Sequence, residues 1–180
     1  MARFPTRIYL TGFMGSGKST IGPLLAEALG YAFVDLDERI EAEAGRPIRV
    51  LFAEEGEAAF RALEARLLRA SGAWTETVVA LGGGALTFEA NLQSARAQGA
   101  IVYLHTSVDE LARRLRQDGT DRPLLLDDTG NLLSPDALRH RIETMLARRE
   151  PFYRRAHHTI DATEGAPATI TKTIIQTLNL

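Results

Sequence analysis

Apolar residues recur along the chain in two alternating rhythms. Short runs rich in β-branched and aromatic residues are separated by longer stretches whose apolar positions lie three and four apart. The short runs predict strands over residues 7–10, 32–34, 77–80, 100–104 and 159–161. The longer period predicts helices over 18–29, 37–44, 48–55, 57–71, 88–98, 108–116, 135–149 and 168–178. In the first of these Ile21, Leu24, Leu25, Ala28 and Leu29 share a stripe, and Gly30 follows as a C-terminal stop. Pro135 and Asp136 suit the first turn of the helix they open. Strands alternating with helices in this way belong to a parallel sheet covered on both faces, an α/β fold. No repeat or low-complexity tract breaks the order, so residues 1–180 read as a single domain. The stretch 117–134, rich in Asp, Gly, Thr and Pro, is longer than an ordinary connection and is a candidate lid.

Composition narrows the function. A chain of 180 residues that is 45% hydrophobic can bury one continuous core. Its 21 basic and 23 acidic residues leave a net charge of -2, so no general positive field invites nucleic acid and any anion site must be local. There is no cysteine, hence no disulfide and no thiolate metal site, and His105, His140, His157 and His158 lack ligand spacing. The longest apolar runs, such as 78–81 and 100–104, are too short to span a bilayer. The N-terminus lacks the long apolar stretch of a signal peptide, so a cytosolic (cytoplasmic) protein is expected, without membrane partners. Nothing calls for an oligomer, and a monomer is expected.

The first strand runs into Gly12-Phe13-Met14-Gly15-Ser16-Gly17-Lys18-Ser19, followed by Thr20 in the next helix. This is the phosphate-loop pattern in its proper place between strand and helix. Its glycines let successive N–H groups face a polyphosphate, and the helix directs its positive end at the same anion. Lys18 would reach the β- and γ-phosphates of ATP, and Ser19 would bind magnesium.

Asp35 and Asp37 follow the second strand. On an extended chain residues two apart share a face, about 6.5 to 7 Å from each other. One carboxylate can hold magnesium through water while the other accepts a proton or hydrogen bond from an acceptor hydroxyl. Alternatively, Asp37 caps the helix that begins beside it. The third strand ends in Gly82-Gly83-Gly84 with no acidic residue, so magnesium must rely on Ser19 and Asp35. Three glycines there admit a ligand close to the backbone, or simply form a turn.

The phosphate loop, Asp35-Leu36-Asp37, Phe60-Arg61-Ala62-Leu63-Glu64, Gly82-Gly83-Gly84, Arg122-Pro123-Leu124-Leu125 and Arg149-Glu150-Pro151-Phe152-Tyr153 together resemble the shikimate kinases, over residues 7 to 166. The resemblance implies a P-loop kinase fold, a three-layer α/β/α sandwich with a five-stranded parallel sheet of order 2-3-1-4-5. It implies transfer of the γ-phosphoryl group of ATP, with Mg2+, to the 3-hydroxyl of shikimate on the route to aromatic amino acids. A helical segment over about 37–71 would bind substrate. Asp37, Arg61, Gly83, Gly84 and Arg149, with Phe60 and Gly82 beside them, would contact shikimate. Glu64 would support Arg61, and Arg122 would act from the lid near the phosphates. A carboxylate substrate suits the two guanidinium groups, which can grip it bidentately. Without the resemblance, Arg61 reads as a solvated helix residue paired with Glu64, and Arg149 as a cation near a helix C-terminus.

Two departures from that family pattern concern the base. Where relatives tend to place an adenine-stacking arginine, this chain has Leu115, flanked by Arg114 and Arg116, either of which could replace it. The adenine-side loop keeps Pro167 but has Gly165 where some relatives carry arginine. Among rival functions, a GTPase switch is suggested by Asp127-Asp128-Thr129-Gly130 after an apolar run, yet no Asn-Lys-x-Asp guanine-reading motif occurs. A gluconate kinase would share fold and phosphate loop, and the arginine pair argues against it. A nucleotide-binding module without catalysis is disfavoured by Lys18, Ser19, Asp35 and Asp37.

Overall fold

Five strands, β1 (Arg7–Thr11), β2 (Ala32–Asp35), β3 (Thr77–Ala80), β4 (Ala100–His105) and β5 (His158–Asp161), form one all-parallel sheet of order β2-β3-β1-β4-β5 in the computed structural model. The structure describes residues 5–118, 123–127 and 129–180. Seven α-helices are described: α1 (Lys18–Leu29), α2 (Leu36–Ala44), α3 (Ile48–Ala70), α4 (Glu89–Gln98), α5 (Val108–Asp118), α6 (Pro135–Tyr153) and α7 (Pro167–Leu178).

Alternation along the strands separates the layers, because successive side chains point to opposite faces. Ile8 and Leu10 pack with Ile21, Leu25, Val102, Leu104 and Ile174 on the α1 and α7 side. Tyr9, Val79 and Ile101 pack with Leu36, Ile40, Phe60, Leu67 and Leu92 on the side of α2, α3 and α4. A third cluster joins Phe13 and Tyr103 to Leu111 and Leu115 of α5 and Ile142 and Leu146 of α6. This is the expected three-layer sandwich, with both faces of every central strand buried.

Differences from the sequence-based elements are local. α6 continues through Pro151 to Tyr153, past the expected end at 149. Pro151 removes its own N–H from the last turns of the ladder, and Arg154 N still closes on Glu150 O at 2.9 Å. The segments expected at 48–55 and 57–71 follow each other without a loop, and Gly56 (φ 82°, ψ 173°) lies outside helical geometry and kinks the chain between them. Only a residue without a β-carbon adopts that conformation easily.

Of the candidate lid, residues 119–122 and 128, Arg122 included, lie outside the described residues. The described residues between Leu124 and Ser134 are anchored. Leu125 is buried in the third cluster, and Leu126 and Leu132 form an antiparallel bridge. Asp127 Oδ1 accepts from Thr129 N at 2.9 Å and Asn131 N at 3.0 Å. Asp127, Thr129 and Gly130 therefore lie at the tip of a small hairpin outside the main sheet, which removes the basis for a GTPase switch.

Candidate active site

β1 lies between β3 and β4, so the connections leaving it and its neighbours diverge and open a crevice at the carboxyl ends of the strands. The phosphate loop fills the floor of that crevice. Gly12 has φ 144°, and a β-carbon there would fall 2.7 Å from Leu104 O and 2.8 Å from Ser16 Oγ. Glycine is thus required where the loop turns against the sheet. Gly17, the residue before α1, is left-handed and delivers Lys18 and Ser19 at the helix N-terminus. Lys18 Nζ donates to Gly12 O at 2.9 Å and Phe13 O at 3.0 Å. A cleft of about 990 Å³ opens above, lined among others by Met14, Gly15, Gly17, Lys18, Ser19 and Thr20. Gly12 and Ser16 form the inner wall of the loop, with the Ser16 hydroxyl buried and unpartnered.

Both aspartates reach this cleft, by a route other than an extended chain. β2 ends at Asp35, and Asp37 already stands in the first turn of α2. The cap is Asp35, whose Oδ1 accepts from Asp37 N at 3.0 Å, so the alternative of Asp37 as the cap is corrected. Its other oxygen accepts from Ser19 Oγ at 3.0 Å. Ser19 and Asp35 thus present a hydroxyl and a carboxylate side by side, hard oxygen donors that suit Mg2+. Among the described residues no cluster of His, Cys, Asp and Glu could hold a metal alone, and Mg2+ ordinarily completes its shell with phosphate oxygens and water. Asp37 is free of the capping duty and faces the glycines after β3. Burial, reinforced by the neighbouring Asp35 charge, holds its carboxyl above the usual aspartate range, against the opposing pull of Lys18 and Arg61.

The three glycines connect this carboxylate to two guanidinium groups. A β-carbon at Gly82 would lie 2.8 Å from Asp37 Oδ1, one at Gly83 3.4 Å from Arg149 Nη1, and one at Gly84 2.9 Å from Arg61 Nη2. Any larger residue would occupy the space between backbone and functional group. Tyr153, one turn beyond Arg149 on α6, donates its hydroxyl to Gly83 O and fixes the strip from behind. Arg149 lies over the Phe13 ring, 5.7 Å from its centroid. Arg61 donates from Nη1 to Glu64 Oε2 at 2.9 Å, and Glu64 is only 1% exposed. Burial raises the Glu64 carboxyl above its ordinary range while Arg61 opposes the shift, and Glu64 Oε1 has no partner. Phe60 is buried beneath Arg61 and stacks at 4.7 Å with Phe52, so it supports the guanidinium from the core.

A shikimate kinase family model matches residues 14–179. The chain belongs to the shikimate kinase family. Its sequence is 57% identical over 159 residues to the shikimate kinase of Salinibacter ruber, covering 88% of this chain and 78% of that protein. The shikimate kinase of Acinetobacter baumannii, solved in complex with shikimate, superposes with a TM-score of 0.86 at 36% identity, covering 98% of this chain and 93% of the other. The Bacteroides thetaiotaomicron enzyme gives 0.90 at 34% identity, with 98% and 99% covered. As a family member the chain is an ATP-dependent phosphotransferase.

The nucleotide side of this shikimate kinase fold differs from the sequence-based reading in one respect. Leu115 is buried and packs beneath the phosphate loop, where a β-carbon at Gly15 would meet it at 3.1 Å. Of its two neighbours, Arg114 lines the cleft, whereas Arg116 is exposed and is not part of that lining. Arg114 is held by Glu110 Oε1 at 2.6 Å and Ala162 O at 2.8 Å, joining α5 to the loop after β5. Pro167 lines the same cleft, together with Thr163, Glu164 and Gly165. Arg113 also lines it, as do Glu110 and Gln117, none of which was singled out from sequence. The signal was present: positions 110, 113, 114 and 117 form an i, i+3, i+4, i+7 polar stripe opposite the buried Leu111 and Leu115.

Proposed function

We propose that this chain transfers the γ-phosphoryl group of ATP to the 3-hydroxyl of shikimate. The observation that carries the reading is the glycine strip at 82–84, which joins the phosphate cleft and the Asp37 carboxylate to the Arg61 and Arg149 guanidinium groups. An acceptor with a carboxylate at one end and a hydroxyl at the other fits such a strip. Arg61 and Arg149 would take the carboxylate. Asp37 would orient the 3-hydroxyl and receive its proton as that oxygen bonds to the γ-phosphorus and the bond to the β-phosphate bridging oxygen breaks, releasing ADP. Lys18 would exchange its loop carbonyls for β- and γ-phosphate oxygens. Ser19 and Asp35 would hold Mg2+, which neutralises phosphate charge when bound. Arg114 and Pro167 border the space left for the base, and Arg122 would reach the phosphates from the lid.

The same reading carries a cytosolic monomer, to be checked by fractionation and by a scattering mass of one chain. Among the described residues no helix is long and apolar enough to cross a membrane. The decisive test is a coupled ADP-release assay with shikimate, gluconate and other hydroxy acids. Release with shikimate alone, yielding a phosphate monoester at the 3-hydroxyl by NMR, is expected. Release with gluconate and none with shikimate would overturn the proposal.

A further inference from the structure

The guanidinium of Arg61 is held in a way that leaves one edge open. Nε donates to Glu57 Oε1 at 3.3 Å and Nη1 to Glu64 Oε2 at 2.9 Å. Its Cζ lies over the Phe60 ring at 4.9 Å from the centroid and over the Phe88 ring at 5.3 Å. The remaining Nη2 is the guanidinium atom nearest a β-carbon built at Gly84, at 2.9 Å, with Nη1 at 3.1 Å. The two rings differ in kind. Phe60 belongs to the core and would be buried with or without an arginine above it. Phe88, the residue before α4, is 44% exposed and makes no comparable sacrifice of solvent contact to the core.

What distinguishes this exposed ring is the arginine over its face. A ring face attracts a guanidinium without consuming any N–H donor, whereas another carboxylate would compete with the substrate for those donors. Glu57 is exposed, and such a pair fixes a long side chain weakly. We propose that Phe88 is a positioning residue that holds the Arg61 guanidinium with its Nη2 edge turned toward the substrate carboxylate. The proposal rests on the shikimate-binding reading of that arginine. Phe88 acts through Arg61 and touches no reacting atom.

The test compares Phe88→Ala, Phe88→Leu and Phe88→Tyr in steady-state kinetics, each also combined with Arg61→Ala. Phe88→Ala should raise KM for shikimate roughly 3- to 10-fold, the scale of an exposed cation–π contact with some lost orientation, and leave kcat and KM for ATP within about twofold. Tyr should restore the wild-type KM, and Leu, with apolar bulk but no ring, should not. In the Arg61→Ala background Phe88→Ala should add nothing. An unchanged KM, rescue by Leu, or a full effect without Arg61 would overturn the proposal. A second readout needs no substrate: the Arg61 Nε–Hε NMR signal should shift and lose order in Phe88→Ala and recover in Phe88→Tyr. An unchanged signal would overturn the positioning role even if the chain proved inactive on shikimate, whereas inactivity alone would strike the proposed function.

Discussion

Gly82 leaves the room that Asp37 occupies: a β-carbon at position 82 would stand 2.8 Å from Asp37 Oδ1 and 3.4 Å from Glu64 Oε1. Gly82 carries no left-handed φ, so alanine fits the backbone and acts chiefly by displacing the Asp37 carboxylate. Gly82→Ala is therefore expected to lower kcat by about tenfold or more, with melting temperature and ADP affinity little changed. Steady-state kinetics beside calorimetry decides it, and a wild-type kcat would show that Asp37 tolerates displacement.

Asp37→Asn should lose most turnover and yet gain stability at neutral pH. Burial and Asp35 raise the folded-state pKa of Asp37 above its ordinary value. The folded chain then binds this proton more tightly than the unfolded chain, so stability is greatest below the unfolded pKa and declines as pH rises through the folded one. Asparagine removes that decline. Thermal melts should put the variant above wild type at pH 7, with the gap closing as pH falls below the ordinary aspartate range. Wild-type turnover should fall in acid as the raised carboxyl takes up its proton. Melts that favour wild type at pH 7 would contradict the burial argument.

Lys18→Ala should abolish turnover and leave the circular dichroism spectrum unchanged, because the side chain bonds to loop carbonyls and belongs to no apolar cluster. Near-normal turnover would remove the phosphate-loop role.

Arg122→Ala should lower turnover by roughly 10²-fold, the scale of losing one preorganised charge donor. Amides between 117 and 126 should exchange quickly in the free protein and be protected with ADP and shikimate together. Leu125 bounds this expectation, since its burial ties the end of the segment to the core before any ligand binds. Identical exchange with and without ligands, alongside normal turnover, would make Arg122 an ordinary surface residue.

Much of this was legible in the residues themselves. The strands and helices followed from apolar period, and even the interruption at Gly56 was marked by a glycine inside an otherwise helical pattern. The phosphate loop was legible because its spacing is local. The Asp35 and Asp37 arrangement was misread in detail, because a cap bond from Asp37 N turns the chain into α2 one residue earlier than expected. The nearness of Gly82, Gly83 and Gly84 to three charged side chains depends on elements far apart in sequence, and only the family resemblance suggested it. Arg113 is reached only through the polar face of α5, which has no sequence motif of its own to mark it.

Lys18, finally, changes what nucleotide binding means in this protein. Its ammonium already has acceptors in Gly12 O and Phe13 O, so the loop solvates that charge without cancelling it. Entry of a polyphosphate is an exchange of partners rather than an addition: two carbonyls are released to the degree that phosphate oxygens take their place. The heat and affinity of binding would thus report a difference between two bonded states. On the proposed phosphate role of Lys18, a nucleotide too short to reach it would leave these two bonds in place.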